Sequence, residues 1–149
     1  MTARRIITKQ LGELLIERGL INREQMEGAL EIQKAKGGLI GEILVELGFV
    51  KEEDVAQALT TQYGFPFLPL GNYEINPEVI AVIPLRVARQ YLVLPIDKIG
   101  NNLTVTMSNP LNSHAIEDVE MLTGCAIQTF VSTSSDIKKT IEKYYRDIK

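Results

Sequence analysis

One stretch of this chain occurs twice, and that repetition limits what the chain can fold into. Residues 10–33 read QLGELLIERGLINREQMEGALEIQ, and residues 39–62 read LIGEILVELGFVKEEDVAQALTTQ. A shift of 29 positions lays Gly12 on Gly41, Leu15 on Leu44, Gly19 on Gly48, Ala29 on Ala58, Leu30 on Leu59 and Gln33 on Gln62. Between these anchors the apolar positions agree in kind, as Ile21 does with Val50 and Met26 with Val55. Self-similarity at a fixed period marks a repeated structural unit that buries its apolar face against its neighbour.

The unit reads as a short helix, a tight turn and a longer helix. Leu11, Leu14, Leu15 and Arg18 fall at helical spacing. Gly19 then stands where a helix takes a left-handed C′ residue, and Leu20 where the apolar C″ contact follows. Asn22 and Gln25 have the spacing of a capping box for the next helix. That helix carries Met26, Ala29, Leu30 and Gln33 on its apolar face and stops at Gly37-Gly38. The second copy repeats the pattern through Gly48, Phe49, Val55, Ala58, Leu59 and Gln62, and Gly64 and Pro66 end it. Two αα-hairpins, packed as a quasi-symmetric four-helix unit over residues 1–65, are expected.

From Pro66 the pattern changes. Phe67–Leu70 reads as a short extended piece, with Pro66 and Pro69 suited to a sheet edge or a crossing between lobes. Asn76-Pro77 starts a helix carrying Val79, Ile80, Ile83, Val87 and Tyr91, which Pro84 must kink or split. Leu92–Ile99 and Leu103–Met107 flank Gly100-Asn101-Asn102 as a hairpin. Ser113 is expected to cap a helix closed by Gly124, followed by a strand over 126–131. Thr133 with Asp136 opens a last helix whose face is Ile137, Ile141, Tyr144, Tyr145 and Ile148. Residues 66–149 thus predict a small α+β sandwich in the order β-α-β-β-α-β-α, its helices on one face of the sheet, and the whole chain is α+β.

Bulk properties exclude several functions. The 149 residues are 45% hydrophobic and 23% charged, the balance of a folded domain or two small ones. A net charge of −3 gives no footprint for nucleic acid, despite a small basic leader cluster at Arg4, Arg5 and Lys9. The single cysteine, Cys125, excludes an intramolecular disulfide and suits a reducing compartment. Glu13, Glu17 and Arg18 interrupt the apolar N-terminal run, so neither a signal peptide nor a membrane span is expected. A soluble, cytoplasmic chain without direct membrane insertion follows.

No catalytic or metal-binding set is visible. His114 is the sole histidine and reads as an exposed helix-start residue. The serines at 132–135 read as caps, the Glu13/Glu17 and Glu52/Glu53 pairs as solvated helix faces, and no Walker lysine follows Gly37, Gly38 and Gly41. The repeat is more informative. Gly12 and Gly41 sit at or inside helix starts, where glycine costs about 1 kcal/mol relative to alanine. Two accounts fit them and the paired glutamines. Gln33 and Gln62 bond backbone near the glycine of their own hairpins, or helix-start amides and glycine backbone meet a phosphate while leucines and a glutamine meet a base.

The two 24-residue segments with a five-residue spacer resemble the tandem motif of the MshE N-terminal domain family: Arg-Leu-Gly, aliphatics, Gly, aliphatics, then Leu-x-x-x-Leu-x-x-Gln. Met107–Pro110, Ile116–Val119, Thr123-Gly124 and Ile141–Tyr145 are similar to the ending of the same domain. The resemblance implies a regulatory and docking domain from the front of a type II secretion or type IV pilus assembly ATPase. Its implied ligand is cyclic-di-GMP. Its implied partners are a membrane-anchored platform component and an ATPase domain, in cis or in trans, absent from this chain. By motif position, Leu11, Gly12, Leu15, Leu30 and Gln33 would line one half of the ligand site, and Ile40, Gly41, Leu44, Leu59 and Gln62 the other. The departures are chemical. The motif's leading arginine is Gln10 in the first copy and Leu39 in the second, and the family's aspartate before proline is Asn109. Arginine stacks on a guanine and pairs with phosphate, whereas leucine does neither. A cation from Arg5 or Lys9 is one replacement, and a structural adaptor that docks its partner without nucleotide is the alternative function.

Overall fold

The computed structural model describes residues 10–145, so the leader cations Arg4, Arg5 and Lys9, and Ile148, lie outside the described residues. The repeats form α1 (Leu11–Glu17), α2 (Arg23–Lys36), α3 (Ile40–Glu46) and α4 (Glu52–Tyr63). Both short helices end in the same way. Gly19 N–H donates to Ile16 O at 3.0 Å and Leu20 N–H to Leu15 O at 2.9 Å; Gly48 N–H donates to Val45 O at 2.9 Å and Phe49 N–H to Leu44 O at 3.1 Å. This is the Schellman arrangement, with Gly19 at φ 74° and Gly48 at φ 77°. Asn22 and Gln25 complete the capping box by reciprocal bonds of 2.9 and 2.8 Å. The second copy has Lys51 at the N-cap without a side-chain bond, and compensates with Glu52, Glu53 and Asp54 in the first turn.

The second half forms α5 (Pro77–Ile80), α6 (Leu85–Tyr91), β1 (Val93–Ile99), β2 (Asn102–Met107), α7 (Ser113–Thr123), β3 (Ala126–Val131) and α8 (Ser134–Tyr145). The sheet order is β1-β2-β3, β1 antiparallel to β2 and β3 parallel to it. A two-residue loop joins β1 to β2, with Gly100 at φ 58° in the position where a type II′ turn needs it. The α+β class holds, while the expected element order changes at its first strand. Phe67–Leu70 is not a strand: it makes one bridge, Phe67 to Val131, flanked by Leu68 N–H to Val131 O and Val131 N–H to Pro66 O. Pro69 has no N–H with which to extend the ladder. The helix after Asn76 is split, Pro84 serving as the N-cap of α6. The Tyr145 hydroxyl donates to the carbonyls that end α5 and precede Pro84, at 3.2 Å to Ile80 and 2.7 Å to Ile83. Burial pushes the Tyr145 phenol above its ordinary range. A second difference is local, since Asn112 rather than Ser113 caps α7, accepting from Ala115 N–H at 3.1 Å.

Two apolar clusters hold these elements. One gathers the repeat residues from Leu11 to Leu59 and borrows Leu111 and Val131 from the second half. The other runs from Leu70 to Tyr145. α5, α6 and α8 pack on β1, whereas β3 is met by α7 and by α4. That last contact brings the repeats against the sheet.

Candidate functional site

The seam between the clusters encloses a cavity of about 340 Å³. Both repeats open onto it at their helix starts, with Gln10 and Leu11 before and in α1, and Leu39, Ile40 and Gly41 before and in α3. Gln33 reaches it from the far end of α2, its Nε2 donating to Gly38 O at 3.0 Å. Asn109 faces it from the turn after β2, with Oδ1 accepting from Leu111 N–H at 3.1 Å. Seven residues singled out from sequence therefore meet here, including the two that replace the motif arginines.

The other six do not line it. Leu15, Leu44 and Leu59 are fully buried core residues. Gly12 is buried because a Cβ there would overlap the thioether of Met26, so its bareness serves helix packing. Leu30 and Gln62, expected on apolar faces, are exposed instead. The glutamines therefore part company: Gln33 makes a backbone bond to the inter-repeat linker rather than within its own hairpin, and Gln62 faces solvent.

Sequence reasoning missed much of the wall. Glu42 and Glu52 line the cavity, as do Ser132–Ser134 at the start of α8 and Asn112–His114 at the start of α7. Glu52 reads as solvated and the serines as caps, and only the convergence of these residues with Glu42 in space reveals a site. His114 is 76% exposed as expected, yet it stands at the cavity wall, its Nε2 3.6 Å from Asp118 and its ring edge-on to Tyr91. The Tyr91 hydroxyl donates to the Asp118 carboxylate, and this bond, with burial and the carboxylate charge, holds the phenol above its ordinary range. Behind the wall, the buried Thr106 and Ser132 hydroxyls lie 2.6 Å apart, and Ser132 Oγ donates to Leu68 O at 2.7 Å. Among the described residues, no group of His, Cys, Asp and Glu could hold a metal, and no lysine or arginine lines this cavity. Chemically it offers first-turn amides and hydroxyls to an anion, and Leu11, Ile40 and Val55 to an apolar ring.

Comparison with known proteins follows the same lines. The MshEN domain model matches residues 63–149. The type IV pilus assembly ATPase PilB of Myxococcus xanthus is 37% identical over 138 residues, which are 93% of this chain and 24% of that protein. PilB of Thermus thermophilus is 31% identical over 142 residues, 94% of this chain and 16% of that protein. The chain thus spans a quarter or less of the length of these relatives. Among solved structures, MshE with cdg is 28% identical at a TM-score of 0.66, covering 92% of this chain and 99% of that one. The N-terminal domain of XpsE is 26% identical at a TM-score of 0.72, covering 97% and 99%. On the match over its second half, and with neighbours of this kind along nearly its whole length, the chain belongs to the MshEN domain family.

Proposed function

We propose that this chain is a non-catalytic regulatory and docking domain of a type IV pilus or type II secretion ATPase, and that its seam cavity takes cyclic-di-GMP. The observation that carries the reading is the convergence of both repeat openings, Gln33 and Asn109 on one cavity. Its volume of about 340 Å³ lies within the range of small-ligand sites. The MshE neighbour was solved with cdg, which supports the ligand class. In this reading the guanines rest on Leu11, Ile40 and Val55, and the phosphates meet the first turns of α7 and α8. Residues 1–65 form the ligand-facing unit and 66–149 the sheet unit, the seam between them carrying the signal to an ATPase domain and a membrane-anchored platform component from a cytoplasmic position. No described helix is long and apolar enough to cross a membrane.

The lack of a lysine or arginine on the described cavity wall favours a second reading, a structural adaptor that docks its partner without nucleotide. Titration calorimetry with cyclic-di-GMP separates the two. Saturable heat that is weakened by Gln33→Ala is expected. No heat at high micromolar ligand leaves docking as the function.

A further inference from the structure

α8 is tied to the second hairpin at two points, and both acidic partners line the cavity. Glu52, the first residue of α4, accepts at Oε1 from Ser135 N–H at 3.3 Å and from Ser135 Oγ at 2.5 Å. One turn further along α8, Lys138 Nζ lies 2.5 Å from Oε1 of Glu42, a charge contact without hydrogen-bond alignment. The Glu42 side chain is only 13% exposed. Ser135 and Lys138 are three residues apart and share a helix face, so α8 presents one side to both glutamates.

The Glu52 contact has the chemistry of a bound anion. A helix leaves its first N–H groups without partners, and its dipole favours negative charge there. Glu52 supplies that charge from inside the protein, at the start of a 12-residue helix whose first residue, Ser134, lines the cavity. Glu42 and Glu52 are also the only carboxylates on the described wall. A ligand phosphate therefore meets both a competitor for the α8 amides and a like charge at close range, where repulsion is poorly screened.

We propose that Glu52 is an internal competitor for the cavity: ligand phosphate and the Glu52–Ser135 contact exclude each other, so occupancy releases α8 from α4 while Glu42–Lys138 still holds the next turn. This rests on the cyclic-dinucleotide reading above and deepens it, because it gives the site a mechanical output at the seam.

The test is calorimetry of the whole 149-residue chain with cyclic-di-GMP, comparing wild type, Glu52→Gln and Glu52→Ala. Glu52→Gln keeps the shape and guards against a folding defect in Glu52→Ala. Removing the charge is expected to tighten Kd about threefold to tenfold, the range set by a charge at a helix terminus. Hydrogen exchange at the Ser135–Ile137 amides should change on ligand addition in wild type and less in Glu52→Ala. Binding by the variants where wild type gives none also supports the proposal. Equal or weaker binding by both variants overturns it and leaves the nucleotide reading standing. No binding by any of the three overturns both.

Discussion

In the first hairpin Leu30 is 38% exposed, whereas its counterpart in the second, Leu59, has no exposed surface. The order reverses at Gln33, at the cavity, against Gln62, in solvent, and at Gly12, buried on Met26, against Gly41, half-buried on the cavity wall. Yet the glycine turns that end α1 and α3 make matching hydrogen bonds. The cause lies outside the repeats. α4 packs on both α1 and β3, so the second copy is enclosed, whereas α2 packs chiefly on α3 and keeps an open flank. A duplicated sequence thus sets the local fold twice, and the third element, the sheet, decides which of the paired leucines is interior. The lining of the seam cavity follows that asymmetry rather than the motif's symmetry.

The largest expected effect tests the enclosure itself. Leu59→Ala should lower unfolding free energy by about 3 kcal/mol, the usual cost of a buried leucine truncation, and Leu30→Ala by less than about 1 kcal/mol. Matched losses in urea denaturation would abolish the distinction between inner and outer copies. Next come the glutamines. Gln33→Ala should weaken cyclic-di-GMP binding about tenfold, through loss of a wall group and of its bond to Gly38, and Gln62→Ala by less than about twofold. A larger effect at Gln62 in calorimetry would move the site off the seam. The smallest effect sharpens the glycine contrast. A Cβ on Gly41 would lie 3.0 Å from Leu11 Cδ2, which has to yield toward the cavity, so Gly41→Ala should reduce affinity about threefold. Gly12→Ala meets only the mobile end of Met26 and should leave affinity unchanged, with stability altered by no more than about 1 kcal/mol in either variant. Melting curves with and without ligand measure both quantities together.

Much of this was legible from neighbouring residues alone. The Schellman ends at Gly19 and Gly48, the Asn22 capping box, the Asn76-Pro77 start and the Gly100 hairpin all rest on interactions within about six residues, and the structure contains each of them. The split at Pro84 was also anticipated, while the fate of Phe67–Leu70 depended on whether a ladder could pass Pro69. What could not be read was the wall that comes from afar. Ser135 is 83 residues from Glu52, and nothing local to either predicts their meeting. Leu30 and Leu59 look identical in their own helices, because only the position of β3 distinguishes them. Of the residues inferred from motif position, those just before or at the helix starts line the seam cavity, whereas Leu15, Leu44 and Leu59 in the helix bodies build the core.

The sheet itself limits how a partner can attach. β1 is an edge strand, and Pro95 deprives it of one N–H while the register shifts between Pro95 and Asp97. The residues beyond the shift, Asp97, Lys98 and Ile99, are exposed, two of them oppositely charged. Such an edge resists templating a further strand, whether from a sister molecule or from an extended peptide. Strand addition is disfavoured along that border, which leaves recognition there to surfaces of side chains and keeps neighbouring copies from zipping together edge to edge.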